Sequence, residues 1–357
     1  MTEEMLRMEN FDKNRRAVLK GAVALSAAAL LPDGTARAQN SAGAATPSIP
    51  EGEVPKRPMG KTGLQVSYMG IGGYHLGSVK EEGEAMDIVA KAIDHGVNFF
   101  DNAWEYHEGL SEERMGKALE GKRDRVVLMT KVCTHGRGKD VAMRMLEESL
   151  RRLKTDHLDV WQVHEVIYDN DPDLSFAPGG AAEALQQAKQ QGKVRFVGFT
   201  GHKDPEIHLK MLSHGFPFDT VQMPLNAFDA TFRSFEQHVL PEANKRGMAV
   251  FGMKSLGGSG ESVVGGGITP EDGLRYAMSL PVATTISGMD SMQVLEQNLK
   301  VAIGFKPMTA AEMQAVRDRS KRDAGDGRYE LFKTTKKYDG KIGRQQHQFP
   351  EIEQVPL

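Results

Sequence analysis

Eight short runs rich in β-branched residues alternate with eight longer amphipathic ones, and this order predicts an α/β protein of the (β/α)8 TIM-barrel class. Two further observations favour a closed barrel over an open sheet. The repeating units fill one continuous stretch, residues 58–307, which matches the roughly 250 residues such a barrel takes. No glycine-rich dinucleotide fingerprint follows the first strand, where a doubly wound sheet would carry it. The closest approach, Gly70-Ile71-Gly72-Gly73, has the wrong spacing.

The strands are expected at residues 66–72, 97–101, 126–131, 158–164, 194–200, 220–223, 248–253 and 284–287. The helices between and after them are expected at 84–95, 112–120, 140–153, 180–191, 205–214, 232–245, 270–279 and 292–302. Gly96, Gly192, Gly215 and Gly247 each stand between a helix and the next strand, where a glycine ends a helix without a Cβ penalty. Residues 308–357 lose the period. One more helix is expected at 310–319, followed by an arm whose aromatics, Phe332, Tyr338 and Phe349, favour packing over the barrel.

The 357 residues leave room for a leader and a tail around one large domain. A formal net charge of -3, with acids and bases mixed, gives no basic face for nucleic acid. The single cysteine, Cys133, excludes an intramolecular disulfide and any Cys-based zinc or iron–sulfur site. Residues 1–38 read as a leader: Asn14-Arg15-Arg16-Ala17-Val18-Leu19-Lys20 opens the apolar run 21–31, and Ala36-Arg37-Ala38 is a small-residue exit before Gln39. The paired arginines resemble the twin-arginine class, with the export machinery as partner and a periplasmic or otherwise exported product. The apolar run is far short of the ~20 residues that span a bilayer, so stable membrane insertion is not expected. Residues 39–57 would be a flexible mature N-terminus.

Catalytic groups of barrels come from the C-terminal ends of strands. Asp101, Lys131 and His164 end the second, third and fourth strands, and Tyr106 follows Asp101 by one short loop. Each alone is ordinary; together they suit carbonyl reduction. A phenol is a poor acid at neutral pH, an adjacent ammonium lowers its pKa, and Asp101 can hold that ammonium in place. A neutral His164 can donate to the carbonyl oxygen.

At these residues the chain resembles the aldo-keto reductase family. The likeness is carried by Gly96-Val97-Asn98-Phe99-Phe100-Asp101-Asn102-Ala103 with Tyr106, by Met129-Thr130-Lys131, and by Leu158-Asp159-Val160-Trp161-Gln162-Val163-His164. Met59-Gly60-Lys61-Thr62-Gly63-Leu64 looks like the N-terminal hairpin that closes that family's barrel floor. The resemblance implies NADP or NAD as cofactor, no metal, a small-molecule carbonyl substrate, and Asp101, Tyr106, Lys131 and His164 as a tetrad with Tyr106 the proton donor. It also implies a cofactor set of Thr200, Gly201, Gln222, Met253, Lys254, Leu256, Gly258, Ser287, Gly288, Gln297 and Asn298.

The chain departs from the family pattern in places. Thr200-Gly201-His202 replaces a serine–asparagine pair, and His202 reads either as a substitute or as a solvated loop residue. Met253 replaces an aromatic, and Gly288 and Val294 replace bases that hold a 2′-phosphate. The substrate walls are expected from Trp104, Tyr168, Phe176 and Phe228. Glu105, His107 and Glu108 read as solvated loop residues. A non-catalytic nucleotide-binding barrel and a metal-dependent hydrolase or isomerase are the competing functions.

Overall fold

The computed structural model describes residues 50–133, 137–258, 260, 263, 265, 267–340, 344, 345, 348 and 350–354. The chain divides into Met1–Pro50 and Glu51–Leu357, and every element below belongs to the second unit. The leader and its exit at Gln39 lie outside the described residues.

Eight parallel strands close a barrel in chain order, the last pairing with the first. They are β3 (Met69–Gly72), β4 (Phe99–Asp101), β5 (Val127–Val132), β6 (Leu158–Val163), β7 (Val194–Thr200), β8 (Thr220–Pro224), β9 (Ala249–Met253) and β10 (Thr284–Gly288). Closure is made by β10 on β3, from Thr285 opposite Met69 to Gly288 opposite Gly72. Helices α1 (Gly73–Ser78), α2 (Glu82–Asp94), α3 (Leu110–Ala118), α4 (Lys139–Arg152), α5 (Asp171–Phe176), α6 (Ala181–Gln190), α7 (Pro205–Ser213), α8 (Phe235–Lys245), α9 (Pro270–Ser279) and α10 (Met292–Ile303) fill the connections. The four glycines take left-handed φ of 81°, 74°, 71° and 71° at Gly96, Gly192, Gly215 and Gly247. The expected (β/α)8 class is the observed one.

Most element ends shift by one or two residues, and the larger differences have physical causes. The strand expected at 66–72 is two elements: β2 (Gln65–Ser67) pairs antiparallel with β1 (Lys56–Pro58) as a floor hairpin, and the chain then turns into β3. The turn is held by Ser67 Oγ donating to Met69 O at 2.7 Å and by Arg57 stacked 3.8 Å over the Tyr68 ring. Residues just before 58, expected as a flexible N-terminus, pack on the barrel: Val54 is buried and its N–H donates to His95 O at 2.8 Å. The helix expected from 232 starts at Phe235, because Ser234 caps it by accepting from Gln237 N at 3.0 Å. Beneath the barrel Met59 and Val66 of the hairpin pack on Phe99 and Phe251, whose rings sit 4.6 Å apart.

Beyond the barrel, α11 (Ala310–Ala324) opens with a capping box of Thr309 and Glu312 and runs past the expected end at 319. The arm after it, with α12 (Leu331–Thr334), lies over the loops at the C-terminal end of the barrel. Phe332 is fully buried, and Lys203 of the loop after β7 donates to Thr335 O at 2.6 Å and Asp339 Oδ1 at 2.8 Å. Among the described residues no helix is long and apolar enough to cross a membrane.

Candidate active site

Parallel pairing brings neighbouring strand ends level, so residues far apart in sequence meet at one rim. Asp101 pairs with Met129 on β5, Lys131 with Gln162 on β6, and His164 N–H donates to Val132 O at 3.1 Å. Lys131 Nζ makes a short ion pair with Asp101 Oδ1 and donates to Asn102 O at 2.7 Å and Tyr106 Oη at 3.3 Å. Tyr106 and His164 meet edge to face with centroids 5.6 Å apart. The structure therefore brings all four expected residues together. From across the barrel Gln222 Nε2 reaches Asp101 Oδ2 at 3.4 Å.

Burial sets the electrostatics. It lowers the Lys131 pKa, a shift that Asp101 opposes. His164 falls to about 3 through burial and then the Lys131 charge, so its imidazole is neutral. Tyr106 is the correction. Its phenol was expected to be lowered by Lys131, yet it is raised well above the ordinary tyrosine value, first by burial and then by Asp101, Glu105 and Glu165. The reason is burial: removing the phenolate from water and facing it with carboxylates outweighs the Lys131 ammonium, which is itself bonded to Asp101.

Glu105 is a site residue that the sequence did not disclose. Read as solvated, it is instead turned inward, with Oε1 2.5 Å from His164 Nδ1 and Oε2 accepting from Cys133 Sγ at 2.8 Å. Burial raises its carboxyl pKa. The contact does not have hydrogen-bond geometry, and neither atom has a hydrogen-bond partner among the described residues. With Glu165 these groups bring three potential ligand atoms within 4.8 Å of one another. Only the Tyr106 neighbour of Glu105 gave a signal in sequence. His107 is half-buried, its Nε2 2.8 Å from Tyr74 O.

The expected cofactor residues line the same rim. Thr200 pairs with Gln222, and Gly201 is pressed so close to Val166 O that a Cβ would stand 2.2 Å from it. His202 is buried rather than solvated, beside Phe332 of the arm. Met253 is half-buried, and Lys254 Nζ lies 5.5 Å and 5.3 Å from the ring centres of Phe332 and Tyr338. Gly258 sits under the Tyr338 hydroxyl, and Leu256 packs against Gly273 of α9. At the end of β10, Asn298 Nδ2 donates to Ser287 Oγ at 3.2 Å, with Gln297 half-buried beside it and Gly288 against the His75 ring.

Two expected wall residues are employed elsewhere. The Trp104 indole donates to Glu148 on α4 at 2.8 Å, and Phe176 stacks on His214 at 4.2 Å among Phe216 and Phe218. Tyr168 is held by the arm, donating to Asp339 Oδ2 at 3.2 Å, and buried Phe228 packs on Tyr329.

A buried Lys–Asp pair on a tyrosine hydroxyl, with a neutral histidine beside it, is equipment for moving a proton at a carbonyl oxygen, and it stands where barrel enzymes place their chemistry. The Aldo/keto reductase family model matches residues 68–262, and the chain belongs to that family as an NAD(P)-dependent oxidoreductase. It is 26% identical to an uncharacterized oxidoreductase of Bacillus subtilis over 75% of this chain and 97% of that one. It is 36% identical to L-galactose dehydrogenase of Arabidopsis thaliana over 41% of this chain, spanning 48% of the plant protein. Among solved structures, the holo form of an aldo-keto reductase from Bacillus halodurans superposes with a TM-score of 0.65 at 24% identity, covering 78% of this chain and all of that one. A Klebsiella pneumoniae aldo/keto reductase in complex with NADP and acetate gives 0.59 at 23% identity, covering 72% and 92%.

Proposed function

We propose that the protein is an exported reductase that converts an aldehyde or ketone to an alcohol with NADPH or NADH, Tyr106 delivering the proton. The observation that carries this reading is the Lys131 ammonium shared between Asp101 and the Tyr106 hydroxyl. Buried polar atoms fit the cofactor. Gln222 Oε1 and His202 Nε2 lack hydrogen-bond partners among the described residues, and a carboxamide offers both donors and an acceptor for them. Thr200, Gln222 and His202 would hold that end, Lys254 and Gly258 the middle, and Ser287, Gln297 and Asn298 the adenine end.

The nicotinamide supplies the hydride. His164 and Tyr106 together bind the carbonyl oxygen, and the Tyr106 hydroxyl gives its proton as the alkoxide forms. Lys131 then favours the phenolate left behind, with Asp101 keeping the ammonium oriented. Steady-state reduction of a reactive aromatic aldehyde, followed by cofactor absorbance, tests this. Tyr106→Phe should lower kcat by about 10² to 10⁴ while nucleotide still raises the melting temperature. Unchanged turnover in that variant would refute the assignment. Export rests on the residue pattern of 1–38; Arg15→Lys with Arg16→Lys should hold the precursor in the cytoplasm, and a mature protein still starting at Met1 would remove the leader.

A further inference from the structure

We propose that Glu105, His164 and Glu165 form a site for one divalent transition-metal ion at the C-terminal rim of the barrel, with zinc as its simplest occupant. The site lies beside the tetrad and goes beyond the reductase reading, which asks for no metal.

Crowded acceptors carry the inference. Glu105 Oε1 and His164 Nδ1 stand 2.5 Å apart, yet the contact lacks hydrogen-bond geometry and neither atom has a hydrogen-bond partner among the described residues. His164 is buried, with 7% of its surface exposed. Buried polar atoms are paired as a rule, and unpaired ones in a polar cluster ask for a bound species. Ligands of one ion crowd in this way without bonding to each other, because each aims its lone pair at the centre. On zinc, bonds of ~2.0–2.2 Å at a tetrahedral angle set ligand atoms roughly 3.3 Å apart, which Glu105 reaches by swinging its carboxylate back by roughly 1 Å.

The third ligand comes from the next residue. Glu165 lies just past β6 with a left-handed φ of 47°, and its carboxylate, with the other two groups, puts three ligand atoms within 4.8 Å of one another. An imidazole with two carboxylates is a donor set for zinc and its neighbours in the first transition row, and three protein ligands leave a fourth position open.

Outer partners brace the ligands. Cys133 Sγ donates to Glu105 Oε2 at 2.8 Å, and Gly340 N donates to Glu165 Oε2 at 2.9 Å. Arg137 holds the backbone of the pair through His164 O at 3.1 Å and Glu165 O at 3.0 Å. Lys131 and Arg137 act on Glu105 through space, but their ion pairs are with Asp101 and Asp171, and neither supplies a donor to Oε1. An ion on Nδ1 leaves the proton of the neutral ring on Nε2, so His164 can ligate and still donate to a carbonyl; that clause alone rests on the reductase reading.

The test is a titration of Zn²⁺ into chelator-stripped full-length protein, in competition with a chromophoric chelator. One ion should bind per chain. Glu105→Gln and Glu165→Gln keep the shape of each side chain and remove its charge. Each should weaken binding by at least about 100-fold, the upper end of what losing an outer partner of a metal ligand costs. His214→Gln removes a surface histidine 3.6 Å from Asp173 and should bind within about threefold of wild type, since distant sites act independently. Zinc should raise the melting temperature of wild type and not of Glu105→Gln, while nucleotide raises both and shows that the variant is folded. A wild type that binds no ion below about 100 μM would overturn the site. Affinity that survives both glutamine substitutions, or is lost with His214, would overturn it as well. An enzyme inactive on every carbonyl would sink the reductase reading and leave the titration to decide the site.

Discussion

Lys333 of the C-terminal arm is sealed against Asp229 of the loop after β8, with Nζ 2.6 Å from Oδ1 and neither side chain exposed. The same ammonium donates to Glu330 Oε2 at 2.9 Å and Phe232 O at 2.7 Å, and Glu330 in turn accepts from Asn226 at 3.1 Å. Asp229 also takes the N–H groups of Phe235 and Glu236, so this one carboxylate fastens both the arm and the start of α8.

Lys333→Met should therefore be strongly destabilising, because removing one partner of a buried pair leaves charge without compensation. About 3–5 kcal/mol is the usual cost, less whatever Asp229 recovers from its backbone donors. Denaturant unfolding measures the loss, and trypsin should cut at Lys336 or Lys337 far sooner than in wild type. An unchanged midpoint would mean that the arm is not held by this pair.

His208 offers a clean pH measurement. It is enclosed by Phe199 and Phe235, and burial lowers its pKa to about 4. The unfolded chain takes up a proton there below about pH 6.5 and the folded chain does not, so wild type loses stability relative to His208→Gln as pH falls from 6.5 to 4. The slope should be about 1.4 kcal/mol per pH unit. The comparison must be between the two proteins, because Glu330, raised to about 7, works in the opposite sense. Parallel stability curves would contradict the burial-driven shift.

NAD and NADP should bind within about tenfold of each other, roughly 1.4 kcal/mol. At Gly288, where the family resemblance puts a base, the His75 ring lies 2.0 Å from the place a Cβ would take. No side chain fits there without moving that ring. Thermal shift with each nucleotide reads the difference, and Gly288→Lys should lower the melting temperature without creating an NADP preference. A hundredfold preference in wild type would point to another phosphate clamp.

Lys131→Met should abolish turnover and weaken the fold together. Among the described residues Asp101 would keep only the Gln222 amide at 3.4 Å as a side-chain partner, an exchange worth several kcal/mol against the folded state. Asp101→Asn with Lys131→Met should restore part of the stability and none of the activity, as unfolding and turnover measured side by side would show.

Asp101, Lys131 and His164 were legible in the sequence because a strand end is a local property: hydrophobic alternation stops, a polar residue follows, and parallel pairing levels the ends whatever the loops do. The eight-unit order and the glycine stops share that local origin. Glu105 was not legible, since an acid beside Tyr106 and another at Glu108 look alike until the loop turns one inward against His164. The split at Tyr68 escaped for a related reason: no turn residue such as Pro, Asn or Asp interrupts 66–72, and only the hairpin with Lys56–Pro58 assigns the first part of it to the floor. Phe176 and Trp104 have wall-like chemistry but wrong addresses, which α7 and α4 decide by packing on them. The phenol of Tyr106 shows the limit most directly. Its neighbour's charge is written in the sequence, but the burial that outweighs that charge exists only once the barrel and its loops have closed around the phenol.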